Sequence, residues 1–136
     1  MIELSDIAPS FFFLQHEGFV KASDHYKPEE FGNADLVMAG PKFSLKFERD
    51  RGQVFVDIGN SDIGWEKLEY ALVFVDDGIT EEQFGEPPEV TQLANLAKSH
   101  WKEIVQLYDD SVNLSAFSDF CKKQSSTFIS GIFSKS

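Results

Sequence analysis

The alternation that begins at Phe43 constrains this chain more than any other feature. Phe43, Leu45 and Phe47 alternate with Ser44, Lys46 and Glu48, the period-two pattern of a strand buried on one side only. Gln53-Val54-Phe55-Val56-Asp57-Ile58 follows, with Val54, Val56 and Ile58 on one face and Phe55 and Asp57 on the other. Between the two runs lies Arg49-Asp50-Arg51-Gly52, whose glycine takes positive φ without steric cost. The segment therefore predicts a β-hairpin closed by a short loop.

The other elements arrange themselves around that hairpin. Ser5 or Asp6 is placed to cap a first helix running to about Gln15, with Phe11-Phe12-Phe13-Leu14 as its apolar stripe and Glu17-Gly18 as its end. Phe19 to Ser23 and Leu36 to Ala39 read as strands, separated by a polar stretch from Asp24 to Gly32 and punctuated by Gly40-Pro41. After Gly64 the period changes to about 3.6, and Trp65, Leu68, Leu72 and Val75 predict a helix, although Val73-Phe74-Val75 also fits a strand. Asp76 to Glu89 is a loop. A long helix from about Glu89 carries Val90, Leu93, Ala97, Trp101, Ile104 and Leu107 on one face until Asp109-Asp110-Ser111 breaks it. A last helix from about Leu114 to Phe133 buries Leu114, Phe117, Cys121, Phe128 and Ile132 and is expected to fray near Ser125-Ser126-Thr127 and Gly131. The order implies an α+β domain: an antiparallel meander of about four strands with helices packed on one face.

Length and charge exclude several functions. At 136 residues, one domain is expected, large enough to bury about 70% of its extended-chain surface. A single cysteine, Cys121, permits no internal disulfide and no thiolate metal cluster. Twelve basic against 23 acidic residues leave a net charge of −11, whose field repels nucleic acid and anionic membranes. No apolar run approaches the ~20 residues of a membrane-spanning helix, and the acidic start Met1-Ile2-Glu3-Leu4-Ser5-Asp6 lacks the basic residues of a signal peptide. A cytoplasmic protein is expected, monomeric or weakly dimeric.

The residues that commonly carry chemistry are scattered. His16, His25 and His100 form none of the short-spaced pairs that hold a metal. Cys121 sits on the apolar face of the last helix, where a thiol is inert packing. No glycine run follows a strand and opens a helix, so no phosphate cradle is present. Asp57 is expected to pair with Arg49 or Arg51 across the hairpin. No catalytic residue, cofactor or metal ligand is assigned.

The charge is localised. Residues 57–97 hold ten carboxylates against Lys67 alone, nine of the eleven net charges, and residues 76–89 hold six carboxylates, two prolines and no base. Such crowding lowers stability through like-charge repulsion. One reading is a solvated loop. The other is a docking surface for a basic protein, since complementary fields accelerate association and exclude wrong partners. Asp57, Asp62, Glu66, Glu69, Asp76, Asp77, Glu81, Glu82 and Glu86 would form it, with Phe84 as an aromatic anchor and Phe74, Trp65 and Tyr70 as further candidates. Phe84 either tucks beneath the loop or projects to the partner.

The stretch Phe47-Glu48-Arg49-Asp50-Arg51-Gly52-Gln53-Val54-Phe55-Val56-Asp57-Ile58-Gly59, with Trp65 soon after, is similar to a hairpin-then-Trp pattern in small acidic immunity proteins of bacterial contact-dependent inhibition and polymorphic toxin systems. The likeness covers residues 43–75. It implies tight 1:1 binding to one toxin, commonly a basic nuclease, blocking its active or substrate-binding site; no functional residue transfers with it. Two other functions fit the same residues. One is a general adaptor or nucleic-acid mimic. The other is a small enzyme or ligand carrier with a pocket between sheet and helices, built on His25, Asp24 and Asp57.

Overall fold

The hairpin forms where the alternation places it. In the computed structural model, which describes residues 2–30, 32–85 and 88–133 except for the side chains of 126–133, strands β3 (Ser44–Asp50) and β4 (Gln53–Asn60) pair antiparallel with Asp50 opposite Gln53. Arg51 and Gly52 alone make the turn, with φ of 53° and 82°. Positive φ at both central residues is the geometry that matches the twist of the flanking strands. Asn33 braces the turn from the neighbouring strand: its side-chain oxygen accepts from the Arg51 backbone N–H at 2.9 Å, and its amide donates to Asp50 at 3.3 Å.

Strands β1 (Val20–Lys27), β2 (Asn33–Ala39) and β5 (Gly64–Lys67) complete a five-stranded antiparallel meander in the order β1-β2-β3-β4-β5. The α+β class and the meander are as expected, with one strand more. That strand, β5, occupies the start of the predicted helix. Asn60 accepts from the backbone N–H groups of Asp62 and Ile63, both at 3.1 Å, and Gly64 at φ 74° reverses the chain. Trp65 thereby lands opposite Gly59, and the helix α2 (Leu68–Val75) begins only after the hairpin has closed. The segment Val73–Val75 is helical, not a strand. β1 also runs four residues past Ser23, into the stretch expected to be a loop, because His25, Tyr26 and Lys27 pair with Asp35, Ala34 and Asn33.

The helices depart from expectation at two backbone singularities. Pro9 supplies no N–H, so the first segment divides into α1 (Leu4–Ile7) and a 3-10 helix, Pro9–Gln15. Its start is braced by the Glu3 backbone N–H donating to Asp6 at 2.9 Å. The long helix divides into α3 (Val90–Ser99) and α4 (Trp101–Asp109) at His100, whose φ of −108° and ψ of 18° are not helical. One residue leaves the helix and the phase survives, so Leu93, Ala97, Trp101 and Ile104 remain buried together. Asp110 accepts from the Val112 and Asn113 N–H groups and so starts α5 (Ser111–Phe133) three residues early. The backbone of α5 is helical through the expected fraying region, and the side chains of Phe128 and Ile132 lie outside the described residues.

One face of the sheet carries the core. Leu36, Met38, Leu45, Phe47, Val56 and Ile58 are buried against α1, the 3-10 segment and the later helices. Phe47 meets Phe11 edge-on at 5.0 Å, and Phe43 touches Phe19, Trp101 and Tyr108 at centroid distances of 4.9 to 5.4 Å. The opposite face has no helix over it among the described residues.

Candidate protein-docking surface

The acidic loop follows α2 and is tied down at successive points. Asp76 accepts from the Gly78 backbone N–H at 2.8 Å and lies 3.2 Å from Nε2 of His100, which brings the loop against the kink between α3 and α4. Ile79 and Phe84, each only 7% exposed, are inserted into the core. Between them, Thr80 donates its N–H to the Gln83 side chain at 2.7 Å, and Glu81–Gln83 form a single 3-10 turn. At the far end Glu89 caps α3, accepting from the Thr91 and Gln92 N–H groups at 3.2 and 2.9 Å. Those backbone donors hold its carboxyl below the usual range. With the apolar side chains turned in, Asp77, Glu81 and Glu82 are left exposed.

The ten residues expected to form the surface separate into distinct environments. Asp62, in the β4–β5 turn, is exposed like Asp77, Glu81 and Glu82, while Asp76 is half-buried by its contacts. Phe84 takes the tucked arrangement, so it anchors the loop to the core and is not presented to a partner. Glu69, 9% exposed, is buried in the first turn of α2 because Leu68 and Leu72 on that helix pull it against the sheet. Glu66 lies on the core side of β5, opposite Ile58, where its carboxylate neighbours the Cys121 thiol. Burial and then this carboxylate push the thiol far up, away from reactivity. Asp57 faces the uncovered side of the sheet and pairs with Lys46 at 3.9 Å. Arg49 does not reach it, being spent on the carbonyls of Gly32 and Asp6. Glu86 lies outside the described residues. Of the other aromatic candidates, Tyr70 is buried, Phe74 packs on Phe117 and Phe120, and Trp65 alone is exposed, at 41%.

Against protein-family models, curated proteins and solved structures, the chain has no match.

The polar groups of the enzyme alternative do not converge. Asp24 lies opposite Leu36 on the core side of β1, where Lys21 holds it at 2.7 Å, whereas His25 faces the other way and contacts Asp35 at 2.9 Å. Asp57 shares the face of His25 but sits three strands away, about 14 Å across the sheet. Among the described residues no group of three or more His, Cys, Asp or Glu side chains is placed to hold a metal, and no helix is long and apolar enough to cross a membrane.

Two buried polar groups yield predictions. Burial raises the Glu69 carboxyl above the usual glutamate value of 4.5, so the folded state binds this proton more tightly than the unfolded chain. The resulting stabilisation is present at low pH and is lost as pH rises through the raised value. Asp57, raised by burial against the opposing pull of Lys46, acts with the same sign. Glu69→Gln therefore raises the melting temperature at pH 7 and flattens the decline of stability above pH 4.5, with Asp57 supplying the residual slope; a thermal-melt series across pH checks it. Tyr108 is buried with its hydroxyl unpaired among the described residues. Since burying an unsatisfied hydroxyl costs about 1–3 kcal/mol, Tyr108→Phe should unfold at the same urea concentration as the parent or a higher one.

Proposed function

We propose that this chain is a non-enzymatic immunity protein that binds and neutralises a basic toxin domain of the nuclease kind, using the acidic loop as its docking surface. The observation that carries this reading is the orientation of the loop: Ile79 and Phe84 are buried while Asp77, Glu81 and Glu82 stand in solvent. A loop that only needed solubility would have no use for two core anchors, an Asx turn and a Thr80–Gln83 bracket. Holding like charges in a fixed array costs stability, and the same fixation lowers the ordering cost when a complementary surface arrives. Phosphate-binding grooves of nucleases are basic, and exposed carboxylates would take the place of the nucleic-acid backbone there.

The test is the triple variant Asp77→Lys, Glu81→Lys, Glu82→Lys, which spares the residues that hold the loop. It should melt at or above the parent's temperature, because the like-charge repulsion is relieved. An immunity gene is expected to follow its toxin gene; association with a toxin domain from that position should slow by about 10–100-fold at low ionic strength and lose most of its salt dependence, and the variant should no longer rescue growth when the toxin is expressed. Unchanged association kinetics would remove the acidic loop from the mechanism. Absence of binding by the parent protein would remove the immunity function.

A further inference from the structure

The uncovered face of the sheet behaves differently from the rest of this molecule. Its rows follow from the strand register: Val20, Ala39, Ser44, Gly59 and Trp65 in one, then Ser23, Val37, Lys46, Asp57 and Lys67, then His25, Asp35, Glu48 and Phe55. Three of the six exposed large apolar side chains among the described residues project from it: Val20, Phe55 and Trp65, at 64, 38 and 41% exposure. Trp65 is held in place, leaning over Gly59 with the Lys46 ammonium 5.1 Å from its ring centre. The face is also close to neutral. Lys46 and Lys67 stand against Asp35, Glu48 and Asp57, with His25 bound to Asp35, in a protein whose net charge is −11. Two copies repel each other over most of their surface and do not do so here.

The centre of the face is self-complementary. β3 is the middle strand of five, and it presents Lys46 and Glu48 two residues apart on this side. Glu48 is exposed and makes no ion pair among the described residues. A two-fold axis crossing β3 between the pair sets each Lys46 against the Glu48 of the other copy, as an isologous interface requires. Phe55 on β4 and Val37 on β2 flank this pair, opposite Glu48 and Lys46. Five strands at about 4.8 Å and three to four rows at about 6.8 Å give a footprint of roughly 600 Å². Both copies together then bury about 1,200 Å², the lower end for a specific interface.

We propose that the uncovered sheet face is the dimerisation surface of this protein, occupied by the same face of a second copy about a two-fold axis between Lys46 and Glu48. The dimer does not involve the acidic loop, and it stands independently of the immunity function. Raising salt strengthens it, because screening removes the repulsion between two acidic bodies.

Sedimentation equilibrium on the full chain tests this, at protein concentrations from about 10 μM to 1 mM and at low and high salt. The parent should dimerise within that range and more tightly at high salt. Glu48→Lys, an exposed substitution that sets lysine against lysine across the axis, should weaken the dimer at least tenfold, while Lys46→Glu combined with Glu48→Lys restores part of it. The Asp77→Lys, Glu81→Lys, Glu82→Lys variant should dimerise at least as well as the parent. A parent that stays monomeric to 1 mM, or a dimer indifferent to Glu48→Lys, overturns the proposal. A dimer lost in the loop variant places the contact elsewhere and overturns it as well.

Discussion

Phe47→Ala should lower the unfolding free energy by about 3–5 kcal/mol, a large part of the 5–15 kcal/mol typical of a domain. Phe47 has no exposed surface. It sits on the central strand facing the helices and meets Phe11 edge-on at 5.0 Å, so its ring joins the N-terminal 3-10 segment to the sheet. Truncation removes the ring's transfer free energy and leaves a cavity whose walls include a strand paired on both sides. Such walls do not collapse inward readily, which places the loss toward the upper end of the range. Urea unfolding monitored by tryptophan fluorescence would show the midpoint falling with little change in slope. A loss below about 1 kcal/mol would mean that the 3-10 segment is not packed on β3 as described.

Gly59→Ala should be comparably damaging for a different reason. A Cβ at position 59 would collide with the Gly64 carbonyl oxygen and lie 3.0 Å from the Trp65 ring. The first contact is with backbone, which cannot swing aside as a side chain does. Relief requires β5 to separate from β4 at its first pair, and β5 is only four residues long. We expect a loss of about 2–4 kcal/mol, as for overpacking against a rigid neighbour. The indole fluorescence of Trp65 should change with it, since the ring loses its place on the sheet. Gly52→Ala makes a useful comparison: no atom lies within 4 Å of its added Cβ, and only the φ of 82° opposes it. It should cost about 1 kcal/mol.

The parts of the fold legible in the sequence are those governed by local patterns. The β3–β4 hairpin is one, because alternation and a glycine-closed turn act over a few residues. β5 was not legible, since Trp65, Leu68 and Leu72 satisfy helical spacing while Trp65 is held on the far side of the sheet by pairing with Gly59. The kink at His100 was hidden for the opposite reason: losing one residue from the helix left the apolar phase intact. In the candidate site, composition located the acidic segment. It did not distinguish the carboxylates in solvent from those turned inward. That division depends on Ile79 and Phe84 entering the core, and on α2 starting at Leu68 so that Glu69 is carried under with it. Trp65 was nominated as a contact residue among the acids, and its exposure on a different, neutral face follows from the register of β5.

The unbroken strand order has a consequence for how the chain is made. Each strand pairs only with its neighbours in sequence, so every hairpin closes a short loop, and such local contacts favour rapid folding. As the chain is synthesised, the sheet is complete by Lys67, before α2 to α5 follow. Among the described elements that cover its apolar side, the segment from Leu4 to Gln15, which carries Phe11 and Leu14, precedes the sheet in the chain. In chain order, that segment is the described part able to cover the apolar side of the sheet before α2 to α5 follow.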